Sequence, residues 1–223
     1  MAVAREIIER LRGYSTPTVA NGLEQLDVRP WNQGFMGPEI RCLFPELGPM
    51  VGHAVTATIR AAVPDTNRRG PTRSEYYDYV LSIPEPRVLV IQDLDPRPVG
   101  AFWGEVQSHV HRALGVEGVV TNGGVRDLDE VRELGFHFFA AAVLVSHAYV
   151  HLVDIGTPVE VGGLVVRPGE LIHADKHGVM TVPEEAAGRI EEGIAKVLER
   201  ERRIIAAADA RPFDLERLKQ VFG

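Results

Sequence analysis

The sequence predicts an α/β domain with parallel sheet at its centre, and three observations carry that prediction. Residues 88–134 alternate strand-like runs (88–91 and 118–121) with segments of helical character (104–114 and 127–134). A strand–helix–strand–helix order of this kind builds parallel βαβ units. Val88-Leu89-Val90-Ile91 is a continuous apolar run, the pattern of a strand covered on both faces. The chain has 223 residues, 45% of them hydrophobic. A chain of that length can bury roughly 70% of its unfolded surface, enough for a sizeable core.

Taken in order, residues 2–13 place Val3, Ile7, Ile8 and Leu11 on one helical face. Ser15-Thr16-Pro17 reads as an N-cap with proline just inside a second helix, which runs to about Leu26. Residues 29–49 are rich in Pro, Gly and Asn and read as a loop. The β-branched residues of 52–59 suit a strand. Residues 65–70 form a loop, and 73–81 can be helical. Beyond residue 138 the texture changes to short strands at 138–140, 143–145, 159–161, 164–166 and 179–182, several separated by glycine and proline. A long charged helix from Pro183 to about Ala208 follows. With no internal repeat, low-complexity tract or linker, residues 1–223 read as a single domain.

Composition narrows the function. There are 31 acidic against 24 basic side chains, a formal charge of -7. That balance argues against nucleic acid as a partner bound through a basic face. The single cysteine, Cys42, excludes a disulfide framework and a multi-cysteine zinc site, and burial is expected for it. The first residues lack an apolar core of signal-peptide length, and no apolar run approaches the ~20 residues that span a bilayer. The expectation is a soluble, cytoplasmic protein with no membrane partner.

The most informative stretch is Val119-Val120-Thr121-Asn122-Gly123-Gly124-Val125-Arg126-Asp127. A buried strand runs into two glycines, then a helix that opens with Arg126 and Asp127. Glycines allow close backbone approach to a ligand, and N–H groups at a helix start favour an anion. Arg126 offers a planar fork for a carboxylate, and Asp127 is a hard oxygen donor for Mg²⁺ or Mn²⁺. The competing reading is a tight Asn-Gly turn with a helix-capping carboxylate. Glu105 lies in the preceding strand–helix connection, after Phe102-Trp103-Gly104. Ligands of open α/β sheets collect at the carboxyl ends of strands, so Glu105 and Asp127 can converge on one crevice. Glu105 otherwise only complements a helix dipole.

The histidines carry less. His109 and His111 stand two apart on a helix and point away from each other. His147/His151 and His173/His177 have i, i+4 spacing, but their surroundings read as strand and turn, with no Glu between them as in a zinc protease motif. Structural or supporting roles are expected for them. The run Glu199-Arg200-Glu201-Arg202-Arg203 reads as a solvated face.

Together the Gly-Gly-Val-Arg-Asp turn, Gly104-Glu105, residues 52–56, 158–163, Pro168-Gly169-Glu170 and 174–179 resemble the RraA-like family. That family includes class II 4-hydroxy-4-methyl-2-oxoglutarate and 4-carboxy-4-hydroxy-2-oxoadipate aldolases and protein inhibitors of ribonuclease E. Its aldolase signature is an acid, twenty residues, Arg-Asp, then an acid three positions on. Glu105, Arg126, Asp127 and Glu130 match it. The resemblance implies a compact αββαβ-type α/β sandwich, a central mixed sheet flanked by helices, assembled as a homotrimer or a hexamer with sites between subunits. It implies a metal-dependent carbon–carbon lyase that cleaves 4-hydroxy-2-oxo acids to pyruvate and decarboxylates oxaloacetate. Asp127 is then expected to bind Mg²⁺ or Mn²⁺, Glu105 to hold a metal-bound water and Arg126 to pair with the pyruvyl group. Backbone amides from Trp103 through Gly104 to Glu105 are expected to cradle the substrate carboxylate. Glu199 or Glu201 is the candidate acid reaching a neighbouring subunit's site. The alternatives are a non-catalytic regulator of a ribonuclease and a lyase for another 2-oxo acid. The sequence departs from many members in having Asn21, Asn122 and His177 where they have Asp.

Overall fold

A computed structural model of the chain describes residues 3–66 and 70–222. Ala2, the start of the expected first helix, and residues 67–69 of the expected loop lie outside the described residues. The chain opens with α1 (Arg5–Leu11) and α2 (Thr16–Leu26), the latter capped by the Ser15 hydroxyl, as its Ser-Thr-Pro start predicts. Then come β1 (Arg41–Cys42), β2 (Met50–Arg60), α3 (Arg73–Ser82), β3 (Arg87–Asp93), β4 (Ala101–Trp103), α4 (Glu105–Ala113), β5 (Val116–Val125), α5 (Leu128–Leu134) and β6 (His137–Val143). The remainder is β7 (His151–Ile155), the hairpin β8 (Val159–Val161) and β9 (Leu164–Val166), β10 (Leu171–Asp175), β11 (Gly178–Val182), α6 (Glu184–Ala187), α7 (Ile190–Asp209) and α8 (Leu215–Phe222).

The main sheet is mixed, in the order β1-β6-β5-β3-β2-β10-β11, with β4 added to β5 and β7 to β2. Its centre is parallel: Thr56 pairs with Val90, Val90 with Val120, and Val120 with Phe139. The crossovers are α3, α4 and α5, as the βαβ pattern predicts. Alternation along the strands builds two cores. Val55, Leu89, Ile91, Val119 and Phe138 pack under Tyr76 of α3 and Val131 of α5. Ala54, Val88, Val90, Val120 and Phe139 face the hairpin residues Val159, Val161 and Val166. A third cluster seats α1, α2 and α7 on Val51, Leu171 and Met180.

The structure corrects several local expectations. The Gly123-Gly124 pair is not a turn: β5 continues through it to Val125, with the register shift against β6 falling between Thr121 and Gly124. Residues 143–145 are not a strand, because β6 ends at Val143 and Val145 is 97% exposed. The expected helix from Pro183 to about Ala208 is interrupted at Gly188 and Arg189, and α8 follows it. Cys42 is only half-buried, on the edge strand β1.

Candidate active site

The carboxyl ends of β4 and β5 meet at Trp103 and Val125, which pair in register. From there the two strands lead into α4 and α5. The Arg126 N–H donates to the Trp103 carbonyl at 2.9 Å, and the Leu144 N–H to the Val125 carbonyl at 2.9 Å. These bonds weave both connections and the loop after β6 into one rim. Asp127 adopts a left-handed conformation (φ 55°, ψ 51°), which Asp tolerates better than most residues. Its Oδ2 accepts the Glu105 N–H at 2.9 Å. The Asp127 carboxylate thus caps α4, the helix of the neighbouring connection, instead of its own helix α5. Gly104 is required between them, since a Cβ there would run into the Asp127 carboxylate.

The guanidinium of Arg126 lies 3.7 Å from Asp127 Oδ2 through Nε, with the two side chains 37% and 36% exposed. Among the described residues, no hydrogen bond engages Asp127 Oδ1 or the Arg126 terminal nitrogens. The site therefore presents one open carboxylate oxygen beside one open guanidinium edge, at the start of a helix whose remaining first-turn amides lack intrahelical acceptors. Glu105 joins Asp127 through its backbone, while its carboxylate is exposed. One of the amides expected to cradle a substrate is thus already engaged by Asp127. Glu130 is exposed in the first turn of α5. Glu199 and Glu201 are exposed on α7, which packs on α2, not on the 103–127 rim.

Among the described residues no group of three or more His, Cys, Asp or Glu side chains converges as a metal site. Asp127 Oδ1 offers a hard divalent ion one protein donor; the other donors would have to come from water, a chelating substrate or a second copy of the chain. Several histidines bond to the scaffold. His173 Nδ1 accepts from the Thr16 hydroxyl at 3.0 Å and its Nε2–H donates to the Leu11 carbonyl, while His177 donates to Asp175. His147 and His151 each contact a nearby backbone carbonyl. His111, fully buried, donates to the Gln107 carbonyl and accepts from the Tyr76 hydroxyl at 3.0 Å. Burial lowers its pKa to about 4, keeping it neutral.

Sequence reasoning missed Asp93, buried at the end of β3, whose Oδ2 has no hydrogen bond and whose pKa burial raises. Its backbone is clipped by the Asn122 side chain, which accepts the Asp93 N–H at 2.7 Å and donates to the Asp93 carbonyl at 3.0 Å. The available signal was an acid just beyond the apolar run 88–91, at the carboxyl end of a strand.

The fold and this rim define a mixed α/β protein with a polar site at strand carboxyl ends. The RraA-like family model (Aldolase/RraA) matches residues 16–181, and the chain belongs to that family. A 4-hydroxy-4-methyl-2-oxoglutarate aldolase from Thermus thermophilus is 36% identical over 75 residues, 33% of this chain and 46% of that protein. An uncharacterized Methanocaldococcus jannaschii protein is 33% identical over 105 residues, 47% of this chain and 50% of that one. The chain spans about a fifth to a half of the curated relatives it matches. The fold is similar to that of Streptomyces coelicolor RraAS2, described as an unusual member of the RNase ES inhibitor RraA family. That structure has a TM-score of 0.67 and 23% identity, and the match covers 90% of this chain and 95% of that one. No helix among the described residues is long and apolar enough to cross a membrane.

Proposed function

We propose that this chain is a divalent-metal-dependent lyase that releases pyruvate from 4-hydroxy-2-oxo acids of the 4-hydroxy-4-methyl-2-oxoglutarate type and decarboxylates oxaloacetate. The observation that carries the reading is the Asp127 carboxylate, fixed by one oxygen to the start of α4 and open at the other, beside the Arg126 guanidinium. Asp127 is the residue that would hold Mg²⁺ or Mn²⁺. Lewis-acid polarisation of the keto group is the chemistry such an ion supplies when bound. Arg126 pairs with the 2-oxo acid carboxylate and stabilises negative charge as the carbon–carbon bond breaks toward a pyruvate enolate. Glu105, exposed at the same junction, handles the proton that the enolate carbon takes up. With one protein donor per chain, a homotrimer or hexamer would complete the site, Glu199 and Glu201 being the acids proposed to reach a neighbouring copy.

The test is pyruvate release from oxaloacetate by metal-stripped protein, with and without Mg²⁺ or Mn²⁺. Metal-dependent release that Asp127→Ala abolishes supports the lyase, and no release above the metal-only background sinks it. The charge of -7 and the likeness to an RNase ES inhibitor support a second reading, a protein that regulates a ribonuclease. Capture of a ribonuclease by Asp127→Ala as well as by the unaltered protein would favour it.

A further inference from the structure

Strand β5 changes neighbours along its length. Up to Thr121 it pairs with β3, where Ile91 is the last residue in register. From Gly124 it pairs with β4, through Ala101 and then Trp103. The β6 ladder on its other side shifts register over the same step, between Thr121 and Gly124. Val125, Arg126 and Asp127, which build the rim, all lie beyond this exchange. The chain crosses it through Gly123-Gly124, whose missing side chains leave the backbone the widest choice of path.

The Asn122 side chain narrows that choice. Beyond the last paired residues its carboxamide does for Asp93 what a neighbouring strand would do. It accepts the Asp93 N–H at 2.7 Å and donates to the Asp93 carbonyl at 3.0 Å. Asp93 is held from the other side as well. Its Oδ1 accepts the Asp95 N–H at 3.0 Å, and Asp95 Oδ2 accepts the N–H groups of Ala61 and Ala62. The Leu94 N–H donates to the Ile59 carbonyl at 3.0 Å. Asn122 is therefore fastened to an anchored strand end, and Thr121 Oγ1 secures the next step by accepting the Gly123 N–H at 2.9 Å.

We infer that Asn122 is a positioning residue for the rim: its two bonds to the Asp93 backbone set where β5 leaves β3 for β4, and so where Arg126 and Asp127 stand against Trp103 and Glu105. The use of that placement in turnover rests on the lyase reading; the placement itself does not. Three backbone bonds report it: Arg126 N–H to the Trp103 carbonyl, Leu144 N–H to the Val125 carbonyl, and Glu105 N–H to Asp127 Oδ2.

Amide hydrogen exchange of the full chain reads the placement without metal or catalysis. Asn122→Ala removes both bonds. Asn122→Asp removes only the donor and is the milder variant should the first fail to fold. Ile194→Val, a truncation in the α2–α7 core away from the rim, controls for lost stability. Exchange at Glu105, Arg126 and Leu144 is expected to quicken about 5-fold or more in Asn122→Ala and by less in Asn122→Asp, with the α7 amides unchanged. The kcat for oxaloacetate is expected to fall about 10-fold or more in Asn122→Ala and to hold in Ile194→Val. Unchanged exchange at the three amides overturns the positioning role. So does an equal rise across the whole chain and in the control, or a kcat that survives quickened exchange. The unaltered protein judges the lyase reading separately: if it releases no pyruvate that reading falls, and exchange alone decides the role of Asn122.

Discussion

Asp127 accepts the backbone N–H of Glu105 at 2.9 Å, so an acid that ends one strand–helix connection caps the helix of the preceding one. This one bond joins the two halves of the twenty-residue spacing. It gives Asp127 a structural job at Oδ2 and leaves Oδ1 for the proposed chemical one.

Those jobs part under substitution. Asp127→Asn keeps an oxygen for the Glu105 N–H and is expected to cost less than about 1 kcal/mol in urea unfolding. Asp127→Ala loses the cap and is expected to cost about 1–2 kcal/mol. Pyruvate release is expected to fall by about 10²-fold or more in both, since neither supplies a charged donor. An Asn variant with near-normal turnover would show that the charge is not needed.

Gly104 tests the closeness of the approach. A Cβ there would strike the Asp127 carboxylate and stand 3.0 Å from Arg126 Cγ. Its extended backbone (φ -156°) suits any residue, so the cost of Gly104→Ala is contact rather than backbone strain. We expect a loss of about 1–3 kcal/mol in chemical denaturation, together with impaired turnover. A variant as stable and active as the parent would mean that the rim yields freely.

The Asn122 amide satisfies both backbone groups of Asp93. Asn122→Asp keeps the acceptor but leaves the Asp93 carbonyl without its donor, at a cost of about 1–3 kcal/mol. It also sets a second carboxyl beside the buried Asp93, raising the folded-state pKa of the new acid. A raised acid contributes stability at low pH that is lost as pH rises, so the deficit should grow between pH 4 and pH 7. Unfolding curves at those two pH values check the sign, and a deficit that shrinks with pH would contradict it.

His111 and His137 are buried, with pKa values lowered to about 4, chiefly by burial. Their unfolded values lie near 6.5, so between pH 6.5 and 4 the unfolded chain binds more protons. Stability should therefore fall as pH drops through that window and level off below it. Each histidine contributes on the order of 3 kcal/mol to that loss. His111→Gln, which can serve the same two partners, should make the pH slope shallower. An unchanged slope would place the titration elsewhere.

Much of the frame was legible because it is local. The 3.6-residue spacing of α1, the Ser-Thr-Pro start of α2, the apolar run of β3 and the βαβ rhythm of 88–134 depend on near neighbours in the chain. Elements β4, β7 and β10 were not. Strand β4 has three residues, too few to show a period. Strand β10 buries His173 and Asp175, a polar pattern that reads as loop until its partners are known. Those partners, Leu11 and Thr16, lie more than 150 residues earlier in the chain.

By itself the sequence determined the α/β class, the family resemblance and the spacing of Glu105, Arg126, Asp127 and Glu130, all set by residue type and short-range order. Only the tertiary structure decided that β5 runs through Gly123-Gly124, that Asp127 caps α4 rather than α5, and that Asn122 holds the backbone of Asp93. The reason is physical. A hydrogen bond or ring contact between distant segments depends on strand register and helix placement, which are set by the packing of the whole core.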